Sequence, residues 1–457
     1  MSRILLGAVL VGGAALGLTV LAAAKTLPAD EANLQAAWRR AGQPESMAAL
    51  LRDGSFTDSS MVIAWSQLAH ANAFATADPP GVIGFHHSRG WTMMYLAMHD
   101  ALNSIVPVYR AYAYFDFHPH AHPRAAAAQA AHDVMLHIYP TRRAEIDAEL
   151  AKWLDQMPND SRKTQGIELG RASAAAIIAA REGDGMLVVG SYAPRNSPRP
   201  GDYRLVPPMS FVFFPAFGNS RPFAIGSVKD FLPGPPPVLT SNTYAASYNE
   251  VKRLGQRNSA LRIQDQTNLG AWWLEFIEVQ FGRIMRQITG TRNISLFQAV
   301  RMFALVHMAH VDSTVAVWYA KQVYDFWRPI HAIQFGDRDG NPATAADPSW
   351  VSEHVVPPVQ EYPSAHAIQC QTVTKTLQQV LGTDNVSFAT HSTTALPENP
   401  VRSFKKLSTA ARECQDSRIM AGFHFRFSLN ASIPMGNNIA RKILDTQLKR
   451  RSDGGDN

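Results

Sequence analysis

Lys321-Gln-Val-Tyr-Asp-Phe-Trp-Arg328-Pro329 is the first of three segments in the last third of the chain that decide how its fold is interpreted. The second is Tyr362-Pro363-Ser364-Ala365-His366, and the third runs from Ser417-Arg418 to Gly422-Phe423-His424. Together they supply three fixed positive charges, a hydroxyl group and two imidazoles. A buried tetrahedral oxyanion such as phosphate or vanadate needs about this many partners, because an unpaired buried charge is costly.

The spacing within each segment predicts a local structure. Lys321 and Arg328 are separated by about 700° of helical rotation, so we expect them on nearly one face of a helix that ends at Arg328, before the proline. Ser364 is expected to open a helix, where free backbone N–H groups and the helix dipole favour an anion. Arg418 and His424 would lie about 120° apart on an unbroken helix. Either the long arginine side chain reaches around, or the glycine between them breaks the helix.

The three segments together resemble the vanadium-dependent haloperoxidase and type 2 phosphatidic acid phosphatase superfamily. Flanking stretches are similar to its bacterial haloperoxidase branch; they are Trp91-Thr-Met-Met-Tyr-Leu-Ala-Met-His99-Asp100-Ala101-Leu102-Asn103, Arg221-Pro222-Phe223 and Asp325-Phe326-Trp327-Arg328-Pro329. The resemblance implies an all-α fold of two packed helical bundles, with the chemistry in the second bundle.

The resemblance also implies roles for individual residues. His424 would coordinate vanadium through an imidazole nitrogen, and His366 would be the general acid and base. The groups expected to hold the vanadate oxygens are Lys321, Arg328, Ser364, Arg418 and the backbone N–H of Ala365. Lys321 would also act in catalysis by polarising bound peroxide. Trp318 and Val359 fall at halide-pocket positions, although Trp318 is equally well explained by core packing.

Two residues depart from the pattern of the family. Ala365 stands where the family usually has glycine, and its methyl group narrows the approach to the anion. Ser428 stands four residues after the metal-binding histidine, where the family usually has aspartate. A serine cannot supply the charge that would raise the basicity of the imidazole. Asp312 and Asp325 lie near the first segment and are candidates for the missing carboxylate.

Apolar residues recur at three- and four-residue intervals along most of the chain, which predicts an almost entirely helical molecule. The predicted helices span 86–108, 124–139, 141–157, 162–182, 242–255, 260–289, 294–326, 365–381, 402–420 and 424–448. Met186-Leu-Val-Val189 is the best candidate for a strand. Residues 184–237 contain eleven prolines and are predicted to be irregular. We expect a single helical domain over 61–457, with a first bundle at 61–290 and a catalytic second bundle at 291–450.

Residues 1–24 are typical of an export signal. Arg3 provides the positive charge, an apolar stretch follows, and Ala22-Ala23-Ala24 fits a cleavage site. The apolar stretch is also near the length of a membrane-spanning helix, so an uncleaved anchor is the alternative. The chain is therefore expected to be exported, periplasmic or secreted, either free or tethered. An N-terminal helical segment is expected over 25–60.

Composition excludes some functions and leaves others open. The net charge of +6 is mild, and the chain lacks a basic stretch interleaved with aromatic residues, so nucleic acid is not an expected partner. No membrane contact is expected beyond the N-terminal segment, and a homo-oligomer is left open.

The chain has two cysteines, Cys370 and Cys414. Two buried thiols are slightly favoured over a single disulfide, which an oxidising compartment would permit.

The resemblance implies two enzymatic functions, and a third, non-catalytic function is also open. The first is a haloperoxidase that uses hydrogen peroxide to oxidise halide to hypohalous acid at a His-bound vanadate, with an organic small molecule as the acceptor. The second is an exported acid phosphatase, with phosphate in the same site. In this case His424 would attack phosphorus to form a phospho-histidine and His366 would protonate the leaving alcohol. A lesser alternative is a non-catalytic oxyanion-binding protein.

Overall fold

The computed structural model describes residues 54–77 and 84–451, and these residues are almost entirely helical. The predicted signal or anchor segment, and most of the predicted N-terminal helical segment, lie outside the described residues. Within the described residues, no helix is both long and apolar enough to cross a membrane.

The helices before the proline-rich segment are α1 (Gly54–Thr57), α2 (Ser60–Thr76), α3 (Phe85–Ile105), α4 (Pro123–Ile138), α5 (Arg143–Leu154) and α6 (Ser161–Ala180). Those after it are α7 (Asn242–Leu254), α8 (Gln264–Trp272), α9 (Ile277–Thr291), α10 (Leu296–Tyr324), α11 (Pro329–Gln334), α12 (Ala365–Leu381), α13 (Leu407–Met420) and α14 (Arg426–Thr446). Strands β1 (Phe388–His391) and β2 (Val401–Phe404) form an antiparallel pair with Phe388 opposite Phe404.

Small residues let α4 and α6 pack closely. Helix α4 begins at a proline, which is well suited to the first helical position, and continues into four buried alanines at 125–128. Gly170 of α6 lies so near this helix that an added Cβ would stand 2.5 Å from the carbonyl oxygen of Ala126. Helix α3 packs against both α4 and α6, so these three helices form one compact group.

Helix α10 runs through the centre of the molecule and is buried along most of its 29 residues. Ser295 caps its N-terminus: the hydroxyl oxygen accepts a hydrogen bond from the N–H of Gln298, whose side chain bonds back to the N–H of Ser295. The helix is apolar on all sides, as expected for one enclosed by other helices. It packs against α3 on one side and against α12 and α14 on the other.

The prediction that this helix continues to Arg328 is wrong. It ends at Tyr324, and Asp325 adopts a left-handed conformation with φ 43°. The following residues are extended and pair with the proline-rich segment: Tyr203 N–H donates to the carbonyl of Asp325, and Trp327 N–H donates to the carbonyl of Gly201. These long-range hydrogen bonds replace those that a longer helix would form.

Three other predictions of local structure need correction. The stretch predicted as one helix over 260–289 forms two, α8 and α9. Part of the helix predicted over 402–420 forms β2 instead. Residues 186–189 form no strand, and the side chains of Leu187, Val188 and Val189 are exposed. Gly185 and Gly190, on either side of this stretch, both have positive φ angles and turn the chain away from an extended path.

The proline-rich segment is irregular, as predicted, with short 3-10 turns at Phe217–Asn219 and Val228–Phe231. It is anchored by hydrogen bonds to α10 and to the loop that leads into α12. Phe213 N–H donates to the carbonyl of Pro358, and its own carbonyl accepts the indole N–H of Trp318 at 3.0 Å. The hydroxyl of Tyr362 donates to the carbonyl of Gly234 at 2.7 Å.

Cys370 and Cys414 form a disulfide that joins α12 to α13. The preference for two buried thiols was therefore wrong. Both residues are completely buried. The division of the chain into a first and a second bundle stays a prediction.

Candidate active site

The three motif segments meet where several helices begin or end. Lys321 lies in the last turn of α10, Arg328 precedes α11, and Ser364 precedes α12. Arg418 lies in the last turn of α13, and His424 lies in the short link before α14. Helix ends carry free backbone donors and acceptors, so these positions give an anion site both side-chain and backbone partners.

Lys321 is 1% exposed and its ammonium group is held by backbone carbonyls. Its Nζ atom donates to the carbonyl oxygens of Gln360 at 2.5 Å and Glu361 at 3.0 Å. Burial holds the pKa of Lys321 well below its ordinary value, and the neighbouring charge of Arg328 lowers it further. These carbonyls come directly before the second motif segment, so Lys321 links the first segment to the second.

Arg328 reaches the third segment. Its Nη1 atom donates to the carbonyl of Phe423 and to Nε2 of His424, both at 3.0 Å, and its Nε atom donates to the carbonyl of Val359 at 2.7 Å. Burial lowers the pKa of Arg328 to about 10, against the opposing charge of Glu361. A guanidinium has donors enough for these fixed bonds and for an anion as well.

Arg418 is aligned by its own helix and by a neighbouring one. Its Nη2 atom donates to the carbonyl of Trp273 at 2.6 Å, and its Nε atom donates to the hydroxyl of Ser417 at 3.0 Å. That hydroxyl donates to the carbonyl of Cys414 at 2.6 Å. Burial, followed by the charge of Arg328, lowers the pKa of Arg418 to about 9.

The link before α14 begins with the glycine of the third segment. Gly422 has φ +80° and lies between the end of α13 at Met420 and the start of α14 at Arg426. Of the two alternatives for this segment, the broken helix is therefore the observed one. The break brings the side chains of Arg418 and His424 into one electrostatic environment, since Arg418 is among the charges that lower the pKa of His424.

Ser364 caps α12, as predicted, and its hydroxyl oxygen accepts from the N–H of Ala367 at 3.4 Å. Ala365 is the first helical residue and is buried. His366 follows it, and its buried Nε2 atom has no hydrogen-bond partner within residues 54–77 and 84–451. Burial and then the charge of Arg418 hold the pKa of His366 well below its ordinary value, against a backbone hydrogen bond with Glu275. The imidazole is therefore unprotonated and can accept a proton.

The tautomer of His424 follows from its two partners. Arg328 can only donate, so Nε2 of His424 must be the unprotonated nitrogen. Nδ1 therefore carries the hydrogen, and it donates to Oε1 of Glu361 at 2.8 Å. Burial, Arg328 and Lys321 all hold the pKa of His424 well below its ordinary value, which leaves the ring neutral with a lone pair on Nε2.

Glu361, which the sequence analysis missed, supplies the carboxylate for this imidazole. Neither of the two aspartates considered for that role does so. Asp312 accepts the backbone N–H groups of residues 223–225, and Asp325 accepts from the Tyr192 hydroxyl and the Gln360 amide. A signal was available, because Glu361 is the sole acidic residue between His354 and Ser364.

Positive charge exceeds negative charge in this site. Lys321, Arg328 and Arg418 are each 1% exposed, and none of them forms a salt bridge with another described residue. Among the described residues, Glu361 is the one carboxylate whose charge opposes the lowered pKa values of Lys321 and Arg328. Excess buried positive charge is costly unless an anion balances it, so the arrangement is suited to binding an oxyanion.

Residues 301–452 match the model of the vanadium chloroperoxidase (VCPO) second helical-bundle domain, and this span contains all three motif segments. Over these residues the chain is therefore similar to the vanadium haloperoxidases. A curated relative, the vanadium chloroperoxidase of Curvularia inaequalis, is 25% identical over 186 residues. That match covers 34% of this chain and 30% of the relative, so it spans less than a third of that protein.

The fold of the haloperoxidases extends over most of the chain. A structure described as the first bacterial vanadium-dependent iodoperoxidase superposes with a TM-score of 0.74 at 18% identity, covering 87% of this chain and 98% of that one. A holo-type bacterial vanadium-dependent chloroperoxidase superposes with a TM-score of 0.66 at 17% identity, covering 86% and 98%. At these identities the likeness concerns the fold alone.

The donor set fits the vanadate of the haloperoxidases. His424 has one imidazole lone pair, on Nε2, which accepts an N–H of Arg328 and would bind the metal in place of that hydrogen bond. Three buried cations and the start of α12 offer partners for oxygen atoms. The unpartnered Nε2 of His366 is a polar atom that the protein itself does not satisfy. Phosphate, an oxyanion of the same shape, fits the cationic part of this set equally well.

Trp318 and Val359 are both buried in the main apolar cluster, which also contains Ala365. The ring of Trp318 packs edge-on against Phe85, with a centroid distance of 4.6 Å, and the carbonyl of Val359 accepts from Arg328. Core packing accounts for both side chains. Their place in a haloperoxidase halide pocket stays a prediction.

Proposed function

We propose that this protein is a vanadate-dependent haloperoxidase, which uses hydrogen peroxide to oxidise halide to hypohalous acid. The observation that carries the proposal is the unprotonated Nε2 of His424 among three buried cations that lack a salt-bridge partner in the described chain. The match of residues 301–452 to the VCPO second helical-bundle domain supports it.

Each residue of the site has a role in this proposal. Lys321, Arg328 and Arg418 neutralise the charge of the bound oxyanion, together with the hydroxyl of Ser364 and the N–H of Ala365. His424 holds the metal through Nε2. When bound, vanadate supplies Lewis acidity towards peroxide.

His366 is the proton acceptor in this proposal. Its Nε2 atom is buried without a partner, and its lowered pKa keeps it unprotonated at neutral pH, so it can take a proton from hydrogen peroxide. Lys321 polarises an oxygen atom through its ammonium group. Hypohalous acid then halogenates an organic small molecule.

The test is a paired assay on purified protein stripped of metal. One half measures bromide, iodide and chloride oxidation by hydrogen peroxide, with and without added vanadate. We expect vanadate-dependent oxidation that is lost in His424→Ala and in His366→Ala, with vanadate binding retained in His366→Ala. No oxidation of any halide by vanadate-loaded protein would overturn the proposal.

The other half measures hydrolysis of an aryl phosphate and tests an acid phosphatase. The same lone pair on Nε2 of His424 favours this second candidate, because an unprotonated imidazole can attack phosphorus. The three buried cations would then stabilise the equatorial oxygens of the transition state. Phosphate hydrolysis inhibited by vanadate, without halide oxidation, would select the phosphatase. If neither reaction occurs while the anion binds, the protein is a non-catalytic oxyanion-binding protein.

We also propose that the protein is exported, as a periplasmic or secreted molecule or one tethered by its N-terminal segment. The disulfide between Cys370 and Cys414 supports this, because disulfides persist in oxidising compartments and are rare in the cytosol. Cell fractionation with N-terminal sequencing of the mature protein tests it. A cytosolic protein that retains residues 1–24 would contradict it.

A further inference from the structure

We infer that Glu361 is a positioning residue, which holds His424 so that the Nε2 lone pair of the imidazole is directed to the oxyanion site. We also infer that Glu361 by itself connects the three motif segments. This inference rests on the proposed function, because it assumes that the site binds vanadate through His424. It concerns a residue that none of the motif patterns includes.

The first observation is the pair of bonds to one oxygen atom. Oε1 of Glu361 accepts from Nδ1 of His424 at 2.8 Å and from the backbone N–H of Phe425 at 3.0 Å. The carboxylate thereby fixes both the ring of His424 and the backbone that follows it. Since Oε1 already receives two N–H groups, it acts as an acceptor in either protonation state of the carboxyl group. The orientation of the imidazole therefore does not depend on how Glu361 titrates.

The second observation is the backbone of Glu361. Its carbonyl accepts from Nζ of Lys321 at 3.0 Å, and its N–H donates to the carbonyl of Phe326 at 2.9 Å. Both partners belong to the first motif segment. Glu361 itself stands three residues before Ser364, in the approach to the second segment. Its side chain reaches the third segment at His424, so one residue contacts or adjoins all three.

The third observation is the burial of the carboxylate. Glu361 is 0% exposed, and its carboxylate lies beside the charged groups of Lys321 and Arg328 and the hydroxyl of Ser428. Ser428, one helical turn after His424, is also 0% exposed, and its hydroxyl is a partner of the Glu361 carboxylate. A fully buried carboxylate is costly, and packing alone does not require one at this position. Orientation of a metal-binding imidazole is a function for which such a group is retained.

The test compares Glu361→Ala and Glu361→Gln with wild type in two binding measurements that need no turnover. Vanadate binding is measured by equilibrium dialysis with metal analysis, and inorganic phosphate binding by calorimetry. We expect Glu361→Ala to bind vanadate about 10- to 100-fold more weakly, as is typical when the partner of a metal-binding imidazole is removed. Phosphate should bind as well as in wild type or better, because a negative charge near the anion has been removed.

Glu361→Gln keeps an acceptor oxygen without the charge, so its vanadate affinity should lie between those of wild type and Glu361→Ala. A matched control is Glu278→Gln, since Glu278 is also buried and its Oε2 lies 3.3 Å from Nε2 of His310. This control should leave the ratio of the vanadate and phosphate affinities unchanged. Equal losses for both anions in Glu361→Ala, or no loss for vanadate, would overturn the inference.

A spectroscopic measurement separates failure of this inference from failure of the proposed function. In metal-free protein labelled with 15N-histidine, the His424 signal is identified by its absence in His424→Ala. We expect a slowly exchanging proton on Nδ1 in wild type, retained in Glu361→Gln and lost to rapid exchange in Glu361→Ala. If wild type binds no vanadate, the proposed function fails and this measurement still tests Glu361. A proton on Nε2 in wild type would overturn the inference by itself.

Discussion

Gly422 shows how one residue without a side chain permits the site to form. It turns the chain between Arg418 and His424 with φ +80°, a conformation that residues with a Cβ rarely adopt. Its surroundings leave no room for a methyl group, since an added Cβ would stand 2.5 Å from the carbonyl oxygen of Gly255 and 2.8 Å from Cβ of Ser352. Both the backbone angle and the neighbouring backbone therefore require glycine.

We predict that Gly422→Ala lowers the free energy of unfolding by roughly 2–4 kcal/mol, from the strained backbone and the overpacking combined. Gly382→Ala is the matched control, because Gly382 has φ +69° but no atom within 4 Å of an added Cβ. That variant should lose about 1 kcal/mol. Urea unfolding of both variants measures the difference, and equal losses would show that the contacts with Gly255 and Ser352 do not matter.

At the scale of elements, the disulfide holds together two of the helices that carry the site. Cys370 lies four residues after His366 on α12, and Cys414 lies four residues before Arg418 on α13. Residues four apart share a helix face, so the disulfide lies one turn from a site residue on each helix. It is therefore expected to fix the distance between these two helix ends.

Replacing both cysteines, as Cys370→Ala with Cys414→Ala, should lower the free energy of unfolding by roughly 2–4 kcal/mol. It should also weaken phosphate binding, because His366 and Arg418 are then less well fixed. Chemical unfolding and calorimetry measure the two effects. Wild type in a reducing buffer is the natural control, since the chain has no other cysteines. Unchanged phosphate affinity in the double variant would separate the disulfide from the site.

Two tyrosines attach the proline-rich segment to the second and first motif segments. Tyr362 donates to the carbonyl of Gly234 at 2.7 Å, and Tyr324 donates to the carbonyl of Pro233. Replacing both with phenylalanine should cost about 1 kcal/mol for each hydrogen bond lost. Hydrogen exchange should increase around residues 230–238 before it changes elsewhere. Tyr319→Phe serves as the control on α10, and an equal increase there would contradict the prediction.

At the scale of the whole molecule, buried histidines make stability depend on pH. Burial is the main cause that lowers the pKa of His70 and His331 to about 4 and that of His87 to about 3. As the pH falls below about 6.5, these groups take up protons in the unfolded chain but not in the folded one. The free energy of unfolding should therefore decrease.

Two buried carboxyl groups act in the opposite direction. Burial raises the pKa of Asp312 to about 6 and that of Glu361 to about 7, so the folded chain takes up protons there first. Their effect favours the folded state as the pH falls. The histidines are more numerous, because His307, His366 and His424 are lowered as well, so their effect should dominate.

We therefore predict that the melting temperature falls steadily as the pH decreases from about 6.5 to about 4. His331→Gln should reduce the slope, because it removes one of the groups that cannot be protonated in the folded state. Differential scanning calorimetry between pH 4 and pH 8 measures both curves. A melting temperature that rises towards acid would show that the carboxyl groups dominate.

The sequence by itself determined most of the helices and the composition of the site. Helix starts depend on neighbouring residues, so Ser364 could be predicted to open a helix, and the structure confirms it as the cap of α12. The three motif segments could be recognised without the fold, because the charged and polar residues of each segment lie within a few positions of one another. The types of residue in these segments, which are cationic or hydrogen-bond donating, already indicated that the site binds a tetrahedral oxyanion.

Only the tertiary structure decided how these groups are connected. Helix α10 ends at Tyr324 because the next residues pair with residues 201–203, which are distant in sequence. Glu361 binds His424, which lies 63 residues away in sequence, and Cys370 is bonded to Cys414, which lies 44 residues away. Periodicity and spacing report interactions within a few turns of chain, whereas these contacts depend on how whole helices pack. That packing brings six side chains from separate segments together, and it places the carboxylate of Glu361, which lies outside the motif patterns, beside His424.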